Sequence, residues 1–123
     1  MNFNNILIGS EDPQRLVGYY SGLFGKPAME EGGYAGWQIG SGFVSVGPHD
    51  EVHGKNASPG RLLWNIESTD VPGDFARFVA AGAIVVREPY NPGDPGGPEM
   101  LIATFADPDD NYFQLQSPWE PGP

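Results

Sequence analysis

Phe105-Ala106-Asp107-Pro108-Asp109-Asp110-Asn111-Tyr112-Phe113-Gln114-Leu115 decides the fold. It reads as strand, tight turn, strand. Asp107 to Asn111 are turn formers, with Pro108 fixing φ and Asp or Asn tolerating the left-handed region. Beyond the turn the residues alternate. Tyr112, Gln114 and Gln116 share one face, and Phe113 and Leu115 the other.

Outward from this hairpin, the chain shows one order of elements twice. Asn5 to Ile8 predicts a strand. Asp12 as N-cap and Pro13 at the first helical position open a helix. Leu16, Val17, Tyr20, Leu23 and Phe24 form its apolar stripe, and Gly25 ends it. Strands near Ala28–Glu30, Gly36–Gly40 and Phe43–Val46 follow. The second half predicts a strand at Arg61–Ser68 and a helix from Asp70 with Phe75, Phe78 and Val79 as its stripe and Gly82 as its stop. Strands at Ala83–Arg87, Glu99–Ala106 and Asn111–Gln116 complete it. The expectation is one α+β domain of two βαβββ modules, 1–48 and 61–123, joined by a linker over 49–60. Such an internal duplication is strong fold evidence. A ferredoxin-like domain, β-α-β-β-α-β, is the competing fold and has too few strands per half.

The closing hairpin, Asp12 with Tyr19-Tyr20 and Leu23-Phe24-Gly25, and Ala80-Ala81-Gly82-Ala83 together resemble the vicinal-oxygen-chelate family (glyoxalase I, extradiol dioxygenases, bleomycin-resistance proteins). The resemblance covers nearly the whole chain and implies a curved mixed sheet cupping a ligand. Asp110 stands where that family usually has glycine. The resemblance also implies one metal ligand from the first and last strand of each module. The position seven residues before Asp12 is Asn5, its partner before Asp70 is Leu63, and the last-strand positions are Ser45 and Gln114. Hard and borderline metals need carboxylate or imidazole donors. None of these four supplies one, so no metal and no cofactor is expected. His49, Glu51 and His53 form a weaker alternative metal set. They sit in the linker and do not match H-E-x-x-H.

Alternation places Phe3, Asn5, Leu7, Phe43, Ser45, Leu63, Asn65, Glu67, Tyr112, Gln114 and Gln116 on the concave side, with Tyr34, Trp37 and Tyr90 as further aromatic walls. An aromatic, amide-rich cup with few charges suits a small organic ligand, planar or cationic. The loop from Tyr90 to Pro98 is a candidate lid.

Composition narrows the partners. Net charge is -10, from 6 Lys+Arg against 16 Asp+Glu. This argues against nucleic acid and anionic membrane surfaces. There is no cysteine, hence no thiolate chemistry. No apolar run reaches about 18 residues, and the N-terminus lacks a signal-peptide pattern. Gly (18) and Pro (13) are about a quarter of the chain, and they punctuate apolar segments as turns. The expected function is a cytoplasmic, metal-independent binding protein of the bleomycin-resistance type, which the resemblance implies is a homodimer. It would sequester a bulky or aromatic natural product. The rival is a metal-free isomerase, lyase or cyclase with Glu67 or Tyr112 as acid or base.

Overall fold

The structure, a computed structural model, describes residues 1–93 and 100–118. In chain order the elements are β1 (Ile6–Ser10), α1 (Pro13–Phe24), β2 (Met29–Glu31), β3 (Tyr34–Ile39) and β4 (Gly42–Pro48). A 3-10 turn (Pro59–Arg61) leads to β5 (Leu63–Glu67), α2 (Val71–Ala80), β6 (Ile84–Tyr90), β7 (Ile102–Ala106) and β8 (Tyr112–Gln116). The strands form two four-stranded mixed sheets, ordered β1-β4-β3-β2 and β5-β8-β7-β6. In each sheet the first strand runs parallel to the last, and the other pairs are antiparallel. The fold is therefore α+β with two βαβββ modules, and the ferredoxin-like order is excluded. The lid expected over Tyr90 to Pro98 lies mostly outside the described residues.

Both helices start just after the expected N-cap residues, Asp12 and Asp70, but the Asp12 side chain makes no cap hydrogen bond. The Asp70 carboxylate accepts from the Gly73 N–H at 3.1 Å. Pro13 and Pro72 occupy first-turn positions where no backbone donor is needed. Leu16 and Tyr20 of α1 and Val71 and Phe78 of α2 are buried. Val79, expected in the stripe, is 44% exposed. Val71, Phe75 and Phe78 already fill the i, i+4, i+7 face of this ten-residue helix, and Val79 turns to its border.

One core joins the modules. The Tyr20 ring lies within 5.7–6.0 Å of Phe24, Trp37, Trp64 and Phe113, so it touches both sheets. Tyr19 Oη donates to the Ala106 carbonyl (2.8 Å) and accepts from the Ile84 N–H (3.1 Å), tying α1 to β6 and β7. The helix-facing sides of both sheets thus share this core, and alternation turns their other faces away from it. Among the described residues no helix is long and apolar enough to cross a membrane.

Candidate functional site

A cleft of about 680 Å³ opens where the N-terminal segment, the β3–β4 turn and β5 meet. β5 is an edge strand, so residues on both of its faces reach the cleft. Phe3, Phe43 and Trp64 give it aromatic walls, and Ile6, Ile39, Val44, Leu63 and Ile66 aliphatic ones. Asn4, Ser41 and Asn65 supply neutral polar groups, and Glu67 is its one charged side chain. A cleft of this size, with aromatic and aliphatic walls beside an equal share of polar surface, can hold a small molecule that is itself part apolar and part polar.

Of the residues expected from sequence, Phe3, Phe43, Leu63, Asn65 and Glu67 line the cleft. Leu7, Ser45, Tyr112, Gln114 and Gln116 lie on the concave faces beyond it, and exposed Asn5 just precedes β1. Tyr90 pairs with Ile102 on the concave face of the second sheet. Trp37 corrects the expectation. It is 2% exposed and packs on Tyr20, and its Nε1–H donates to the Gly25 carbonyl at 2.9 Å. Alternation puts it on the helix side with Ala35 and Ile39, opposite the face of Tyr34 and Gln38. Trp64, which alternation turns to the helix side of β5 with Ile66, also walls the cleft while stacking on Phe113 at 5.0 Å. Face alternation could not reveal this, because the cleft lies against a strand edge and a hairpin tip.

The positions that hold metal in the resembled family do not form a ligand set here. The cross-strand partner of Ser45 is Leu7, and that of Gln114 is Asn65. Leu63, which cannot ligate, sits one step along beside Tyr112. Ser45 Oγ donates to the Ile6 carbonyl at 3.4 Å, and Gln114 Nε2 donates to Thr104 Oγ1 at 3.0 Å. This donor chemistry does not fit a divalent metal. Among the described residues no three His, Cys, Asp or Glu side chains come together as a metal site. His49 Nδ1 accepts from the Glu51 N–H (3.2 Å), and His53 sits 3.8 Å from Glu11, so the linker histidines do not converge.

Two buried carboxylates sit in the turn that first identified the fold. Asp107 is fully buried and accepts from Tyr20 Oη at 2.7 Å and from the N–H groups of Asp109 and Asn111 at 2.8 and 3.0 Å. Burial raises its pKa, against the pull of these hydrogen bonds. The same burial pushes the Tyr20 hydroxyl well up. Asp109 accepts from Ser10 Oγ at 2.5 Å and pairs with Arg15. Asp110 adopts φ 62°, the left-handed state in which glycine is otherwise favoured. These acids bracket α1 to the β7–β8 turn and lie outside the cleft.

Comparison with known proteins agrees with this architecture. The sequence profile of the glyoxalase-like domain matches residues 5–116. No curated protein sequence matches the chain. Among solved structures, TioX from Micromonospora sp. ML1 is 19% identical with a TM-score of 0.71, over 94% of this chain and 98% of that one. A glyoxalase-related enzyme from Fulvimarina pelagi gives 19% and 0.71, over 99% and 94%. The fosfomycin resistance protein FosX from Mesorhizobium loti gives 18% and 0.69, over 96% and 92%. At these identities the likeness is one of fold.

Proposed function

Because the chain belongs to the glyoxalase-like domain family, we propose that it uses that fold as a metal-independent small-molecule binding protein. In this reading it acts in the cytoplasm as a homodimer and sequesters a bulky, planar aromatic compound. The observation that carries the reading is the cleft itself. Three aromatic side chains and a set of aliphatic ones surround asparagine amides and one carboxylate. Stacking on Phe43 and Trp64 would supply most of the affinity, and Asn4 and Asn65 the orientation. Glu67 would favour a ligand carrying a cationic group near its aromatic body. The family's metal positions, with amides, a hydroxyl and a leucine, supply hydrogen bonds and contact area instead of ligation.

The test is a titration of aromatic natural products, read by the fluorescence of Trp64 against a Trp64→Phe control, together with growth of a drug-sensitive host expressing the protein. Saturable quenching that the control loses, with protection of the host and no loss on prolonged chelation, is expected. Absence of both binding and protection overturns the reading, as does stoichiometric metal in protein purified without an affinity tag.

One observation favours an enzyme as the second reading: Glu67 lines the cleft, where a carboxylate could move a proton on a bound substrate. If the ligand is converted, Glu67→Gln is expected to lose turnover while keeping binding. Unchanged turnover removes Glu67 as the base.

A further inference from the structure

Asn65 and Glu67, both in the cleft wall, each begin a row of side chains that crosses the concave face of the second sheet. The register gives the rows as Asn65, Gln114, Thr104, Arg87 and Glu67, Gln116, Ile102, Tyr90. The first row is polar from end to end. Its Gln114 amide is already fixed by the hydrogen bond to Thr104 Oγ1, whose residue is 8% exposed. At the far end the Arg87 guanidinium lies 3.5 Å from the centroid of the Tyr90 ring. Register shifts in β6 flank Arg87 on both sides. Such bulges re-aim a side chain out of the regular pleat.

We propose that this row is a subsite for the acidic group of the ligand, a carboxylate, phosphate or phosphonate, with Arg87 as the residue that selects it. With its Cζ over the Tyr90 ring, Arg87 keeps N–H groups at the rim of its guanidinium, and that fork matches an oxyanion in bidentate fashion. Arg15 and Arg77 are committed to Asp109 and Asp74, whereas Arg87 has no ion pair among the described residues. Glu67 begins the second row three strands away. At about 4.8 Å per strand this is roughly 14 Å, too far to neutralise Arg87 across water. The inference rests on the reading of the cleft as a small-molecule site and narrows its ligand. The ligand is elongated, aromatic in the cleft and acidic about 14 Å along the sheet.

The experiment compares 8-phenyloctylphosphonate and 8-phenyloctanoate, whose chains let ring and acid span about 14 Å, with the neutral benzamide and inorganic phosphate, followed by NMR. Side-chain signals of Gln114 and Thr104 report the row, and the Trp64 indole reports the cleft. The two aryl acids are expected to shift Gln114 and Thr104 and to bind about tenfold or more weakly in Arg87→Gln, with Arg87→Lys between. Benzamide is expected to move only the Trp64 signal. A response to inorganic phosphate equal to that of 8-phenyloctylphosphonate would mean a free-anion site and overturn the organic-ligand assignment. Acid binding unchanged in Arg87→Gln overturns the subsite. A Trp64 response without any at Gln114 sinks the subsite alone, whereas silence at both sinks the cleft reading too.

Discussion

The two modules enter their helices by the same device and complete it differently. In the first, Ser10 Oγ at the end of β1 accepts from the Asp12 N–H at 3.0 Å. In the second, Ser68 Oγ after β5 accepts from the Asp70 N–H at 3.1 Å. Each serine then donates to a carboxylate that an arginine also holds. For Ser68 it is Asp74 in the same module's helix, at 2.6 Å, with Arg77 beside it. For Ser10 it is Asp109, at 2.5 Å, with Arg15 beside it, and Asp109 belongs to the β7–β8 turn of the other module. The second module closes on itself, while the first is completed by its sibling. A duplicated unit has here become one cooperative structure by exchanging a local partner for a distant one.

The sharpest way to break that comparison is to remove each carboxylate. The Asp109 side chain is 4% exposed, against 29% for Asp74. Asp109→Ala strands a buried serine hydroxyl and an arginine at the junction of both modules. It is expected to cost about 3 kcal/mol in urea denaturation. Asp74→Ala removes a partly exposed local bracket and is expected to cost about 1 kcal/mol. Equal losses would mean that Asp109 does not couple the modules.

The concave faces differ in the same spirit. The first sheet places glycines under aromatic rings. A Cβ on Gly36 would lie 2.4 Å from Phe43 Cζ, and one on Gly47 would lie 2.1 Å from Tyr34 Cδ1. The second sheet has no such glycines on its concave rows and carries amides, a hydroxyl and Arg87 instead. Phe43 meets a Gly36 Cβ with the tip of its ring, which can swing away, whereas Tyr34 meets a Gly47 Cβ near the root of its side chain, so Gly36→Ala is expected to cost about 1–2 kcal/mol in thermal melting and Gly47→Ala about 3 kcal/mol. They should separate in binding. Phe43 walls the cleft and Tyr34 does not. Benzamide binding is therefore expected to weaken in Gly36→Ala and to persist in Gly47→Ala. Loss in both would place the ligand on the open face of the first sheet.

Much of this architecture was legible in the sequence because the signals were local. The Asp107–Asn111 turn, the alternation of Tyr112 to Gln116 and the Asp70 cap each need only neighbours along the chain. Trp64 and Ile66 face the core as their alternation requires. What was not legible depends on two segments meeting. An aromatic strand residue such as Trp37 suits a cup wall, and alternation groups it with Ala35 and Ile39, but which face of β3 is covered depends on where α1 packs. The contribution of Asn4, Ile39 and Gly40 to the cleft follows from a hairpin tip approaching a strand edge. The Ser10–Asp109 bond spans 99 residues and carries no local signature. The duplicated order was readable, and the exchange of partners between its copies was not.

The smallest expected effect is also the most discriminating, because two carboxylates of the second module, one in its helix and one in the turn that holds the first module's helix, titrate in opposite directions. Hydrogen bonds from Ser68 and Arg77 lower the Asp74 pKa, whereas burial raises that of Asp107. For Asp74 the unfolded chain binds the proton more tightly. Its stabilisation is complete above the ordinary carboxylate value, near ~3.9, and fades as pH falls through the lowered folded value. For Asp107 the folded state binds the proton more tightly. Its contribution is therefore greatest below that ordinary value and declines as pH rises through the raised folded one. Denaturation of wild type, Asp74→Ala and Asp107→Asn at stepped pH should show the two differences from wild type moving oppositely. The gap to Asp74→Ala should narrow as the solution is acidified, and the gap to Asp107→Asn should widen. Parallel curves would mean that the buried turn is hydrated enough to erase the asymmetry between the local carboxylate and the one that reaches across to the first module.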